Sequence, residues 1–229
     1  MKPRKYQIEN YKELLRGCGA YIKDEPRDAM YKIATYIITQ FWGNLREITD
    51  GLGVLLLTWN QAFYRYGHFN FDRLEACIGK WWSDIEKYRN RELGSLSSEE
   101  EDKIKELFHD FLESLERKND KAKSPVAVAK AIHLLAPRFF PLWDDEIAKK
   151  YGCYWYADTD RSPKKYVEFM RRIKSNVEQV SESYMKECNV DRKTAQENIV
   201  KLHPTPKPYL TILKLIDEYN YAKHTKGWI

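Results

Sequence analysis

Between Ile8 and Tyr221 the apolar residues recur at spacings of three and four, and no long stretch alternates apolar with polar. That pattern lays them along one face of successive helices and leaves no material for a real sheet. Glycine supplies only 10 of 229 residues, too few for the frequent turns of a many-stranded fold. The chain is therefore expected to be all-α. It reads as one globular multi-helix domain over residues 1-229, with about eight to ten helices. A division into lobes 1–96 and 97–229 with a cleft stays open.

Helix starts and stops give the same outline. The spacing predicts a short helix from Ile8 to Arg16, stopped by Gly17, Cys18 and Gly19. Pro26 suits the first turn of the next helix, which Gly43 closes. Asn44 with Glu47 reads as a variant capping box for a helix running to Phe63, apolar on most sides near Val54 to Leu57 and so central. Asp72 is expected to cap the following helix. Ser97 and Glu100 form a capping box before Ile104, Leu107, Phe108, Phe111 and Leu112. Ser124-Pro125 and Ser162-Pro163 each read as an N-cap followed by Pro at N1. A weaker helix is expected over 191–201, an extended run over 203–208, and a last helix from Pro208 to Tyr221. Tyr154, Trp155 and Tyr156 read as a short strand or a surface cluster of rings.

Composition narrows function mainly by exclusion. Hydrophobic residues at 43% and charged residues at 32% suit a folded globule rather than a disordered chain. A net charge of +5 tolerates a polyanionic partner without requiring one. Cys18, Cys77, Cys153 and Cys188 form no C-x-x-C pair, so neither a zinc ribbon nor an iron–sulfur cluster is expected, and no metal or cofactor is assigned. Sparse cysteine, no apolar run behind the basic Met1 to Lys5, and a longest apolar stretch of only Leu52 to Trp59 lead to a cytoplasmic chain without a membrane span. No glycine-rich phosphate loop, H-E-x-x-H pair or G-x-S-x-G elbow occurs.

The segment that carries chemistry is Phe140, Pro141, Leu142, Trp143, Asp144, Ile147, Lys149 and Lys150, preceded by a small-residue helix. It resembles the catalytic turn of helix-hairpin-helix DNA glycosylases, especially the adenine-excising branch. The resemblance covers the stretch from Lys123 to Lys150 and implies a catalytic carboxylate at Asp144. The glycines of that superfamily's hairpin turn and its cluster cysteines have no counterpart here. The stretch also resembles a group of uncharacterised prokaryotic helical proteins, which implies no activity.

Cleaving an N-glycosidic bond builds positive charge on the sugar, which a nearby carboxylate stabilises. The base is first flipped into a pocket where rings stack on it. Trp143, Trp155 and Tyr156 are the candidate stacking groups, and Lys130 and His133, about one helical turn apart, are further substrate contacts. Lys121, Lys123, Lys149 and Lys150 are the candidate backbone-phosphate contacts, with DNA the expected partner. Asp144 is equally an ordinary helix N-cap. The alternative to a glycosylase-like enzyme of base excision repair is a non-catalytic helical module for DNA, RNA or a protein. A small-metabolite enzyme is a third reading, and any protein partner is unspecified.

Overall fold

A computed structural model describes residues 6–25 and 28–229. Met1 to Lys5 and Pro26 lie outside the described residues. Among the described residues there is no strand, and the chain is all-α. Twelve α-helices follow in order: α1 (Tyr11–Asp24), α2 (Ala29–Gln40), α3 (Leu45–Trp59), α4 (Gln61–Tyr64), α5 (Phe71–Lys80), α6 (Trp82–Arg89), α7 (Glu101–Ser114), α8 (Pro125–Leu135), α9 (Asp145–Lys150), α10 (Ser162–Cys188), α11 (Arg192–Lys201) and α12 (Ile212–Asn220). A π-helical turn, Tyr221–Thr225, extends the last of them. Among the described residues no helix is long and apolar enough to cross a membrane.

The chain divides into two units. Unit one holds α1, α9, most of α10, α11, α12 and the π turn; unit two holds α2 to α8 and residues 155–167, including the start of α10.

In unit two, α3 is the central helix that its apolar run predicts: Ile48, Leu52, Leu55 and Leu56 are fully buried. Asn44 caps it, accepting from the Glu47 amide. The helix stops at Trp59 instead of continuing to Phe63. Asn60 turns inward there, buried, and its Oδ1 accepts from Lys130 Nζ at 2.5 Å. That break, together with the one between α5 and α6, makes the helix count exceed the expected range. Asn70, not Asp72, caps α5: its side chain accepts from the amides of Asp72 and Arg73, and Asp72 lies in the first turn. The Ser97–Glu100 capping box is present and leads into α7, whose Ile104, Leu107, Phe108, Phe111 and Leu112 are fully buried. Ser124 caps α8 and Pro125 occupies its first turn.

In unit one, α1 runs through Gly17 and Gly19, where a stop was expected. The reason is tertiary. A Cβ on Gly17 would lie 2.4 Å from Cδ2 of Tyr219, so a bare backbone there lets α12 close onto α1. The expected face of α10 from Phe169 to Val180 is buried. Its start differs from the expectation. Ser162 lies inside the helix and donates to the Thr159 carbonyl, while Asp158 caps the preceding 3-10 turn. The final helix begins at Ile212 rather than Pro208, because Thr211 caps it by accepting from the Lys214 amide. Trp228 is docked: its amide donates to Ala222 at 2.8 Å and its ring packs edge-on to Tyr221.

Candidate active site

Asp144 ends a buried loop and begins α9. Ile147 and Ala148 go inward, while Asp145, Glu146, Lys149 and Lys150 stay exposed, and Gly152 at φ +63° closes the turn. Both carboxylate oxygens of Asp144 are engaged. Oδ1 accepts from the Ile147 amide at 2.7 Å, and Oδ2 accepts from the Thr225 hydroxyl at 3.0 Å. The side chain is half-buried. Thr225 comes from the π turn, a helical form uncommon in general and frequent at functional sites. In the same turn His224 keeps Nε2 buried with no hydrogen-bond partner. Burial, with Lys223 and Lys150 adding repulsion, lowers its pKa to about 4 and keeps the ring neutral.

Helix α12 carries a second carboxyl, Asp217, that feels the charge of Asp144. Burial raises the Asp217 pKa to about 6; Lys214 opposes the rise, and the charges of Asp144 and Glu218 add to it. Lys214 Nζ lies 3.1 Å from Asp217 Oδ2 and 4.0 Å from Glu218 Oε1, with 1% of its side chain exposed. Glu218 in turn meets His203 Nε2 at 2.8 Å. Cys18 completes this buried group. Its Sγ donates to the Leu215 carbonyl at 3.4 Å, and burial drives its pKa well up. One donor atom each from Cys18, His203 and Glu218 lies within 4.8 Å of the others. Unit one thus holds a run of titratable groups along α12.

Unit one also holds the other sequence-derived candidates near α9. Trp143 is 1% exposed and stacks on Phe169 at 5.9 Å, so its ring is part of the core rather than a platform for a base. Lys149 pairs with Glu146 and lies over the Tyr154 ring, and Lys150 is exposed.

The remaining candidates belong to unit two. Lys130 Nζ donates to the Trp59 carbonyl and to Asn60, locking the break after α3. His133 is fully buried between the Tyr31 hydroxyl at 2.8 Å and the Phe140 carbonyl at 2.7 Å. Although both sit on α8, the two side chains serve different partners. Lys121 pairs with Glu116 at 3.2 Å, and Lys123 pairs with Glu113 and Asp160. Trp155 is buried, whereas Tyr156 is 78% exposed at a positive φ of 58°.

Sequence reading placed Asp144 at the start of α9 and gave no role to Asp217, Lys214, Glu218, His203 or Thr225. Polar residues at 214, 217 and 218 on a helix of otherwise apolar character were the available signal, since such residues normally face water. Among known proteins no family model, no curated protein and no solved structure matches this chain. The fold therefore defines only a class: an all-α protein whose α12 carries a buried network of charged groups.

Proposed function

We propose that the protein hydrolyses an N-glycosidic bond in nucleic acid, with Asp144 and Asp217 as its two carboxyls. The observation that carries this reading is the presence in unit one of two carboxyls in unlike surroundings, with the charge of Asp144 felt by Asp217. Asp144 is held by an amide and a hydroxyl, and Asp217 is desolvated beside Lys214. Carboxyls whose environments push their proton affinities apart divide the work of acid and base. Asp144 faces the sugar as positive charge develops on it, and Asp217 gives its proton to the departing base. A water molecule then attacks the sugar carbon, and its proton returns to a carboxylate. The resemblance around Phe140 to Lys150, the exposed Lys150 and the net charge of +5 support a polyanionic substrate.

The test is incubation of the purified chain with duplexes carrying single damaged or mismatched bases, scored as alkali-labile abasic sites. Release is expected from wild type and not from Asp144→Asn. Wild-type protein that excises no base from any duplex removes the enzymatic reading.

A second reading, a non-catalytic binding module, is favoured by one feature of unit two. Along α2, Met30, Ile33 and Tyr36 are exposed, and Phe41 just beyond it is exposed too. An apolar surface of this kind suits a protein partner rather than a phosphate backbone. On that reading Ile33→Glu abolishes partner capture while leaving thermal stability unchanged.

A further inference from the structure

We propose that Cys18, His203 and Glu218 form a binding site for one borderline-soft divalent cation, of which Zn2+ is the archetype. The three donors come from distant parts of unit one: α1, the turn after α11, and α12. They are 0%, 2% and 2% exposed. Their ligand atoms fall within 4.8 Å of one another, and Glu218 Oε2 already lies 2.8 Å from His203 Nε2. Zinc bonds of roughly 2.0–2.3 Å in tetrahedral array set donor–donor separations of about 3.3–3.6 Å. Side-chain adjustments of about 1 Å reach that arrangement, a size that rotamer shifts supply.

The surroundings match such a site in three respects. His203 Nδ1 lies 3.0 Å from the Thr205 carbonyl and 3.2 Å from the Thr205 amide; with the ring proton on Nδ1 the carbonyl accepts it, the kind of outer contact that orients a ligating imidazole, and Nε2 exchanges its contact with Glu218 for the metal. Charge balances with the ion bound. A 2+ cation is neutralised by the Cys18 thiolate and the Glu218 carboxylate, while Lys214 is matched by Asp217 at 3.1 Å. One sulfur, one nitrogen and one oxygen make a poor site for calcium or magnesium, which take oxygen alone. Binding breaks the Cys18 S–H bond, forms the metal–sulfur bond and releases that proton to solvent, so affinity rises with pH. A nucleophilic role for Cys18 has less support, because the thiol is fully buried and burial raises its pKa. The ion would pin α1 to α12, the helix that carries Asp217, and the inference stands whether or not Asp217 takes part in catalysis.

The experiment takes the full chain, stripped with a chelator, and titrates it with Co2+ alone and then Zn2+ alone. The expected result is one Co2+ per chain, with a sulfur-to-cobalt charge-transfer band and the strong visible bands of tetrahedral cobalt, all removed by Zn2+. Zn2+ at about 100 times its Kd should raise Tm by about 5–10 °C. Cys18→Ser loses the charge-transfer band, and Cys188→Ser, altering an exposed cysteine, keeps it. A wild-type chain with no saturable one-to-one cobalt spectrum overturns the proposal even if Cys18→Ser does not fold. So does a charge-transfer band that persists in folded Cys18→Ser, or loading of several ions without any sulfur band.

Discussion

Replacing Asp217 with Asn tests the electrostatics of α12 directly. The side chain is 15% exposed, and its pKa stands at about 6 against an ordinary 3.8. A carboxyl shifted upward binds its proton more tightly in the folded chain than in the unfolded one. The contribution of this one group to stability is therefore greatest below pH 3.8 and falls as pH rises from 3.8 to 6, where the folded group finally ionises. At about 1.36 kcal/mol per pH unit, keeping Asp217 charged at pH 7.5 costs about 3 kcal/mol. Asn has nearly the shape of the protonated acid and never ionises. Asp217→Asn should accordingly gain about 3 kcal/mol at pH 7.5 but only about 1 kcal/mol at pH 4.5. In a chain of this size the gain at pH 7.5 corresponds to a Tm rise of about 6–12 °C. Urea unfolding at the two pH values, fitted for stability and slope, reads it out. A variant that is destabilised at pH 7.5, or stabilised equally at both, refutes the reasoning. Either result would mean that Lys214 holds the carboxylate more firmly than burial penalises it.

The other expectations follow from single contacts. Asp144→Asn should change stability by less than about 0.5 kcal/mol, because Asn caps helices as well as Asp does. The same variant should lower the Asp217 pKa by removing a neighbouring negative charge, measurable by carboxyl-carbon NMR titration. Gly17→Ala should cost a net of about 1–2 kcal/mol, since the new methyl meets Tyr219. Gly19→Ala in the same helix, with nothing nearer than Pro204 Cγ at 4.0 Å, should gain up to about 1 kcal/mol. Thermal melts of the pair decide the point, and loss of stability in both would contradict the packing argument. Ser124→Ala should lose about 1 kcal/mol, as its hydroxyl caps α8 at the Ala127 amide.

Periodicity and caps made the helices legible because both are local. The Asn44, Ser97, Ser124 and Asp144 caps each satisfy an amide three residues onward, and a reader needs only that window to see them. Local rules misled where a distant residue changed the local preference. Gly17 and Gly19 carry a stop signal, yet Tyr219, some two hundred residues later, makes the first of them a packing requirement inside α1. The apolar run of α3 promises continuation to Phe63, and Lys130 from α8 halts it by binding the Trp59 carbonyl and Asn60.

By itself, then, the amino-acid order determined an all-helical chain, most of its helices, several caps and the position of Asp144 at a helix start. Backbone hydrogen bonds within helices span four residues, so the information that selects them is close at hand. Only the tertiary structure decided that the charge of Asp144 reaches Asp217, and that Cys18, His203 and Glu218 converge in one buried place. Those meetings depend on how far-separated segments of unit one pack. The charges involved become consequential only once burial removes the water that would otherwise screen them.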